Sequence, residues 1–195
     1  HFVDQLLPRC DAVIDLHSGG KASFFQPCTL ISEMSDIAIA SASDNLARAF
    51  GLPLAWMLGK HNDCRSVNGA AERAGVPMIA AELGGCGGVD PAITDLAEAG
   101  LRNCLVHLGI LKGPDTRINI ERRVSIVSPL HSIFALADGL FDRQISAGQD
   151  VSVGQSAGTF HFPLEPARRS IAVTFPTNGF VLAHGNRGMV LRGEM

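Results

Sequence analysis

The stretch AVIDLHSGG at residues 12–20 follows the same plan as the stretch VPMIAAELGG at residues 76–85. Each is a short, nearly uncharged apolar run that reaches one titratable side chain, His17 or Glu82, and then two glycines. Such runs are typical of strands buried on both faces of a parallel sheet. Because ligands of open α/β sheets bind outside the carboxyl ends of parallel strands, we expect His17 and Glu82 to lie at one rim. A histidine and a carboxylate in that place suit a metal-assisted hydrolase, as a ligand and a proton carrier.

The composition is that of a folded globular protein with a substantial core. Of the 195 residues, 46% are hydrophobic and 18% are charged. The net charge of -3 gives no electrostatic reason to expect nucleic acid or an anionic membrane surface as a partner. The five cysteines are dispersed and odd in number, which argues against a disulfide framework. We therefore expect a reduced, cytoplasmic environment.

Strand and helix patterns alternate over residues 1–115. Apolar spacing predicts a helix over residues 34–50 that Gly51 ends, and Asp90-Pro91 predicts the start of another helix. The other predicted elements of this part are strands at 11–17, 53–58 and 76–82 and a helix at 67–74. This alternation implies βαβ units, so we expect an α/β fold with a mainly parallel sheet.

Residues 116–195 have a different pattern, with short strands separated by glycine turns, and predict a small β domain. The predicted strands are Val124–Val127, Ala135–Leu140, Gly158–Phe162, Ile171–Phe175 and Phe180–Ala183. Within this part VSVG at 151–154 resembles VLRG at 190–193. Either these are two ordinary hairpin turns or they are an internal repeat. The repeat would predict a further strand after the second copy, beyond Met195.

Taken together, several motifs resemble the succinylglutamate desuccinylase/aspartoacylase family, and most closely its branch containing N-acetyl-diaminobutyrate deacetylase. The motifs are DLHSGG at 15–20, ELGG at 82–85, GILKG at 109–113 and the Val-x-x-Gly turn of the β domain. The resemblance implies a zinc-carboxypeptidase-like fold: a mixed, mainly parallel sheet with flanking helices and a barrel-sandwich-like C-terminal β domain. Residues 1–115 would be the C-terminal part of the catalytic domain, and residues 116–195 an incomplete β domain.

The resemblance also implies a zinc-dependent amidohydrolase that cleaves N-acyl amino acids or related small N-acyl compounds. The strand-end histidine of the family is a zinc ligand, which corresponds to His17, and its glutamate is the general acid/base, which corresponds to Glu82. Asp15 shares a strand face with His17 and can orient its imidazole, or it is a structural carboxylate. The glycines of the two loops allow close approach of the backbone to a ligand; they are Gly19, Gly20, Gly84 and Gly85.

Parts of the family's site have no counterpart here. Its other two zinc ligands and its substrate-binding arginines lie far upstream of the histidine strand, so we expect them upstream of His1 and expect truncation at both ends. The spacing of His1 and Asp4 is a weak alternative pair of ligands. On this interpretation the chain by itself is a fragment that is inactive and binds zinc poorly. The acyl group, the amine and the oligomeric state, a homo-oligomer included, stay open.

Two other functional classes compete with zinc hydrolysis. Gly154-Gln155-Ser156-Ala157-Gly158 matches the nucleophile elbow of serine esterases, with Ser156 as nucleophile, but that motif requires a helix where a strand pattern follows. A non-catalytic binding or carrier module is the other class. Covalent attachment of a carried group needs a lysine in the β domain. The lysines are Lys21, Lys60 and Lys112, which all precede that domain, so covalent carriage is excluded.

Overall fold

The computed structural model describes residues 5–59 and 65–194. Within these residues the α-helices are α1 (Ile37–Phe50), α2 (Val67–Ala74) and α3 (Pro91–His107). Strands β1 to β12 are, in chain order, Val13–His17, Ser23–Ser32, Leu54–Leu58, Met78–Gly85, Arg122–Val124, Gly139–Arg143, Asp150–Val151, Ser156–His161, Ile171–Thr174, Gly179–Phe180, Ala183–Gly185 and Met189–Val190. Short 3-10 turns cover Leu7–Arg9 and Pro129–His131. None of the helices in the described ranges combines the length and apolarity that a bilayer-spanning helix requires.

The contacts divide the chain into two compact units. The first comprises the described residues of His1–Ser18, Pro27–Gly84 and Val89–Ile126, and the second those of Gly19–Gln26, Gly85–Gly88 and Val127–Met195. This division follows other boundaries than the expected ranges 1–115 and 116–195. The two glycine-rich segments after β1 and β4 belong to the second unit, whereas the chain up to Ile126 belongs to the first.

A mainly parallel sheet forms the first unit, as predicted. Its strands lie in the order β1-β4-β2-β3-β5, and the pairs β1-β4, β2-β3 and β3-β5 are parallel. Asp36 caps α1 by accepting hydrogen bonds from the N–H groups of Ala38 and Ile39, and Gly51 ends the helix with φ +89°. Asp90 caps α3 in the same way and Pro91 is its first residue. The predicted starts and stops of these helices therefore agree with the structure to within a few residues.

One face of this sheet carries the hydrophobic core. Ile79 and Ala81 of β4 are fully buried against Leu46 and Phe50 of α1 and Cys104 of α3. Successive side chains of a strand point to opposite faces. Ile79 and Ala81 therefore share the core face, and Ala80 and Glu82 lie on the opposite face.

Strand β2 (Ser23–Ser32) has no counterpart among the predicted elements, although it is ten residues long. Its first five residues are half-buried and its last five are buried, so it has no regular alternation of polar and apolar side chains. Pro27 in its middle also argues against a strand, since proline cannot donate to the ladder. Neither the alternation of polar and apolar residues nor the absence of proline therefore identifies β2, the longest strand of the described chain.

The second unit contains short antiparallel sheets, as the β-domain prediction requires. One has the order β12-β6-β8-β9 and another pairs β10 with β7, while β11 is antiparallel to residues 23–25 of β2. The prediction that Val124–Val127 is a strand of this domain was wrong. Val124 instead ends β5, which pairs in parallel with β3 of the first unit.

The Val-x-x-Gly stretches at 151–154 and 190–193 form equivalent turns in which five hydrogen bonds recur. The glycines have φ +81° at Gly154 and +87° at Gly193. In the first turn the bonds run from Gln155 N to Ser152 O, Ser152 N to Gln155 Oε1, Val153 N to Asn178 Oδ1, Gly154 N to Phe175 O and Phe175 N to Gln155 O. In the second they run from Glu194 N to Leu191 O, Leu191 N to Glu194 Oε2, Arg192 N to Asp138 Oδ1, Gly193 N to Ala135 O and Ala135 N to Glu194 O. The similarity of the two stretches therefore extends to their structure.

Candidate active site

Strands β1 and β4 bring His17 and Glu82 together in the first unit. The two strands are parallel, and His17 is the direct register partner of Glu82, as Asp15 is of Ala80. Neighbouring strands lie about 4.8 Å apart, and register partners point to the same face of the sheet. The imidazole, the Asp15 carboxylate and the Glu82 carboxylate therefore share one face, opposite the core that α1 and α3 cover.

Asp15 holds the imidazole of His17. The distance from Nε2 of His17 to Oδ2 of Asp15 is 2.8 Å, and the two side chains are 51% and 27% exposed. An ionised carboxylate can only accept a hydrogen bond, so Nε2 is the nitrogen that carries the proton. The lone pair of the neutral ring is then on Nδ1, which is the arrangement found in metal-binding histidines whose other nitrogen is paired with a carboxylate.

Glu82 is half-buried, and its Oε2 atom is enclosed without a hydrogen-bond partner among the described residues. Burial raises the pKa of this carboxyl above its ordinary value. The imidazole of His17 acts in the opposite direction, and the charge of Asp15 adds to the increase in pKa. A half-buried carboxylate with a raised pKa is a candidate for proton transfer in catalysis.

The loops after these two residues are built around one backbone carbonyl of the second unit. A Cβ atom on Gly19 or on Gly85 would overlap the carbonyl oxygen of Ser23, so neither position accepts a side chain. The same oxygen accepts a hydrogen bond of 3.0 Å from the N–H of Cys86. Gly20 and Gly84, the other glycines singled out from the sequence, have φ +58° and +68°. Close packing of backbone against backbone therefore requires glycine in these loops.

Cys28 is a neighbour of Glu82 that the sequence analysis did not identify. It lies on β2 with no exposed surface. Burial raises the pKa of its thiol to about 12, with the Glu82 carboxylate adding to that increase and the Glu82 backbone opposing it. Because β2 was not among the predicted strands, nothing in the sequence had connected Cys28 with Glu82.

The other histidines of the described chain have structural contacts. Nδ1 of His161 lies 2.9 Å from the Ser170 hydroxyl, and Nδ1 of His107 lies 3.3 Å from the Asp115 carboxylate. The ring of His184 stacks on Phe24 with a centroid distance of 5.6 Å. The candidate ligands His1 and Asp4 lie outside the described residues.

Ser156 does not occupy a nucleophile elbow. It is the first residue of strand β8, whereas an elbow places its serine between a strand and a helix. Its hydroxyl donates a hydrogen bond of 2.7 Å to Oε1 of Gln144, which is not a base. The local structure therefore lacks the features on which the serine-esterase alternative depended.

The His17–Glu82 pair fits one part of a metal site. No group of three or more histidine, cysteine, aspartate or glutamate side chains that could hold a metal ion occurs within residues 5–59 and 65–194. The donor chemistry nevertheless suits a divalent cation, because one imidazole nitrogen is paired with a carboxylate and a buried carboxylate oxygen beside it has no partner. These residues fit one ligand and the acid–base group of such a site.

A family model and a curated relative match this chain. The model described as the succinylglutamate desuccinylase/aspartoacylase catalytic domain matches residues 1–108. N-alpha-acetyl-L-2,4-diaminobutyric acid deacetylase from Halomonas elongata is 31% identical over 157 residues, which are 80% of this chain and 46% of the relative. The chain therefore spans about half the length of this relative.

Solved structures share the fold over nearly the whole chain. The product-bound ectoine utilization protein EutE (DoeB) from Ruegeria pomeroyi is 27% identical with a TM-score of 0.90, covering 99% of this chain and 59% of that one. A succinylglutamate desuccinylase from Silicibacter sp. TM1040 is 28% identical with a TM-score of 0.87, covering 99% and 58%. The expected fold is thereby confirmed.

Proposed function

Because this chain belongs to the succinylglutamate desuccinylase/aspartoacylase catalytic domain family, we propose that it forms part of a zinc-dependent deacylase. It contributes one histidine ligand, His17, and the general acid/base, Glu82. The observation that carries the proposal is the register pairing of these two residues beside Asp15. The reaction is hydrolysis of the amide bond of an N-acyl amino acid or a related small N-acyl compound.

His17 would hold the ion through Nδ1, the nitrogen that its hydrogen bond with Asp15 leaves available. Asp15 fixes the ring orientation and the tautomer, and its negative charge makes the imidazole nitrogen a stronger ligand for the metal. When bound, zinc supplies a Lewis acid that lowers the pKa of water to about 7 and polarises a carbonyl group. The other zinc ligands would come from residues other than Asp15, His17 and Glu82.

Glu82 would carry the proton during hydrolysis. In its ionised form Oε2 accepts a proton from the attacking water, and the protonated carboxyl then donates that proton to the nitrogen of the leaving amine. Burial raises the pKa of Glu82, which makes the carboxylate a stronger base for the first step than an ordinary glutamate. Burial among the strands also keeps bulk water from competing for the carboxylate.

The name of the curated relative supports the choice of substrate. That protein is a deacetylase of N-alpha-acetyl-L-2,4-diaminobutyric acid, which is an N-acyl amino acid. An amide of this kind is stable in water, so its hydrolysis needs both a strong nucleophile and proton transfer to the amine. His17 would help to hold the zinc ion that activates the nucleophile, and Glu82 would transfer the proton to the amine.

The test measures bound zinc and the release of free amine from a panel of N-acyl amino acids by the purified full-length deacylase of which we propose that this chain forms part. We expect His17→Ala to lose zinc and turnover together, and Glu82→Ala to keep zinc and lose turnover by orders of magnitude. The exposed residues His131 and Glu72 provide matched controls, since His131→Ala and Glu72→Ala make the same substitutions elsewhere. Full zinc content and full rate in His17→Ala would reject the proposal.

A further inference from the structure

The internal repeat of the second unit extends beyond its two turns to the strands beside them. The first copy comprises residues 139–155 and the second copy residues 179–194. Strand β6 begins the first copy but pairs with β12, which leads into the turn of the second copy, and β10 begins the second copy but pairs with β7 of the first. The equivalent contacts are Gly139 opposite Val190 and Gly179 opposite Val151, and the N–H groups of Phe141 and Val181, which donate to the carbonyls of Gly188 at 2.8 Å and of Gln149 at 2.9 Å. The two copies are therefore interlocked.

In the first copy, a further strand covers the other edge of β6. Strand β8, which directly follows the first turn, is antiparallel to β6, with Thr159 opposite Asp142. Just beyond the end of β6, the N–H of Gln144 donates to the carbonyl of Ala157 at 3.0 Å. Strand β6 therefore lies between two partners, β12 and β8.

In the second copy, residues 23–26 cover the corresponding edge. The N–H of Gln26 donates to the carbonyl of Leu182 at 2.9 Å, and Phe24 is the antiparallel register partner of His184. Backbone groups of successive strand residues point to opposite edges, so Leu182 bonds away from the edge at which Val181 bonds to β7. Residues 23–26 therefore lie on the edge that corresponds to the β8 side of β6.

The register shows which residues are equivalent. Leu182 is three residues after the first glycine of the second copy, as Asp142 is three residues after that of the first. Gln26 is bonded to Leu182, and Thr159 is the partner of Asp142, so Gln26 has the place of Thr159. The neighbouring residues follow in the same antiparallel order. Residues 23–26 therefore correspond one to one to residues 156–159 of β8.

Side chains of this segment also contact the second unit. The ring of Phe24 stacks on His184 with a centroid distance of 5.6 Å. Oε1 of Gln26 lies close to Gly148, where a Cβ atom would be 2.8 Å from it. The N–H of Gly148 in turn donates to the carbonyl of Val181 at 2.8 Å. The segment is therefore held through its side chains as well as through the strand ladder.

An uncovered strand edge presents N–H and C=O groups that pair with an extended segment. Such pairing uses main-chain hydrogen bonds for affinity and side-chain contacts for specificity. The edge formed by residues 182–185 meets both conditions with residues 23–26, since Leu182 accepts from Gln26 and His184 stacks on Phe24. The partner that this edge fits is therefore an extended segment with an aromatic side chain.

We propose that residues 23–26 are a donated strand, which completes the second copy of the repeat as β8 completes the first. The edge of residues 182–185 is the acceptor, and its partner is this segment of the same chain. Residues 127–195 then do not complete the β domain by themselves, and the place beside the second copy at which the repeat predicts a further strand is taken by residues 23–26. This inference concerns the assembly of the second unit and is independent of the proposed deacylase function.

The experiment compares hydrogen exchange of three amide groups in the full-length protein. The N–H of Gln26 and the N–H of Val181 belong to the second unit, and the N–H of Glu33, later in β2, donates to Leu58 of the first unit at 3.0 Å. Residues that open together exchange together. Phe160→Leu, at a buried position of β8, should accelerate exchange at Gln26 and Val181 by about tenfold and leave Glu33 unchanged.

Ile79→Val, at a buried position of the first unit, is the matched control and should accelerate exchange at Glu33 without changing Gln26 or Val181. If Gln26 follows Glu33 in either variant, or if all three amides respond to both substitutions, the donated strand is not part of the second unit and the proposal is overturned.

Two substitutions at one position then test the main-chain bond itself. Gln26→Pro removes the N–H that donates to Leu182, whereas Gln26→Ala removes the side chain and keeps that N–H. Exchange at Val181 should be about tenfold faster in Gln26→Pro than in Gln26→Ala, because the acceptor edge then loses a ladder bond. Equal exchange rates at Val181 in the two variants would likewise overturn the proposal.

Discussion

His17 and Glu82 are direct register partners on the parallel strands β1 and β4. The pairing fixes their Cα atoms one strand spacing apart and directs both side chains to one face, without the help of any loop. Asp15, on the same face two residues earlier, is hydrogen-bonded to His17. A sheet is a rigid support, so this arrangement holds an acid–base group and an imidazole together more precisely than loop residues can.

Replacing Glu82 by glutamine is expected to stabilise the metal-free protein at neutral pH. The folded-state pKa of Glu82 is raised by burial, so the protonated form is favoured on folding. The stability that the protonated Glu82 carboxyl provides is fully present below the unfolded-state pKa. It is lost as the pH rises through the folded-state pKa, because the ionised carboxylate is then buried. Glu82→Gln should therefore have a higher Tm than the unsubstituted protein at pH 8, with the difference vanishing near pH 4. Equal melting temperatures at both pH values would show that the carboxylate is not desolvated.

Asp15→Asn is expected to weaken zinc binding by about 10–100-fold while His17 remains in place, because a carboxylate paired with a ligating imidazole raises its basicity. Competition with a chromogenic chelator measures the affinity. Asp11→Asn, at an exposed position before β1, is the matched control. An unchanged affinity in Asp15→Asn would identify Asp15 as a purely structural carboxylate.

Gly85→Ala should destabilise the second unit by about 1–3 kcal/mol, since the new Cβ would overlap the backbone carbonyl of Ser23, which cannot rotate away as a side chain can. Gly88→Ala is the control within the same loop, because a Cβ at Gly88 meets no atom within 4 Å. Urea unfolding of both variants measures the difference. Equal destabilisation by the two substitutions would contradict the close packing of this loop.

The cysteines within residues 5–59 and 65–194 are expected to divide into two reactivity classes. Cys28 and Cys104 have no exposed surface, and burial raises the pKa of each thiol to about 12, so their thiolate fraction is small at pH 8. Cys10 and Cys86 are exposed. Alkylation with iodoacetamide, followed residue by residue with mass spectrometry, should modify Cys10 and Cys86 first and the buried pair only after denaturation. Early modification of Cys28 would mean that β2 opens readily.

Asp44 should contribute more to stability at neutral pH than in acid. Burial acts to raise the pKa of this carboxyl, but hydrogen bonds from Arg48 and Arg123 and the charges of these two residues outweigh it and lower the pKa below its ordinary value. The resulting stability is present above the unfolded pKa and is lost as the pH falls through the folded pKa. Asp44→Asn should therefore cost about 1 kcal/mol at pH 7 and less at pH 2.

Denaturant unfolding at the two pH values measures this difference, with Asp95→Asn on the exposed side of α3 as the control. A cost for Asp44→Asn that is the same at pH 2 as at pH 7 would mean that the ion pairs with Arg48 and Arg123 add nothing.

Local patterns were sufficient to predict the helices of the α/β part. The caps Asp36 and Asp90 and the glycines at 51 and 75 act within one turn of the helices they bound, so their effect can be predicted without knowledge of the rest of the molecule. The prediction failed for β2, because its burial comes from neighbouring strands rather than from a periodic pattern of its own. Cys28, and its place beside Glu82, went unrecognised for the same reason.

The sequence by itself determined that two apolar strands end in His17 and Glu82 followed by glycines, and that two Val-x-x-Gly stretches recur, because these are covalent, local facts. Only the tertiary structure decided that His17 and Glu82 are register partners and that Gly19 and Gly85 enclose the carbonyl of Ser23. Strand register and close backbone packing arise from contacts between residues far apart in the chain, and these depend on how the whole core packs.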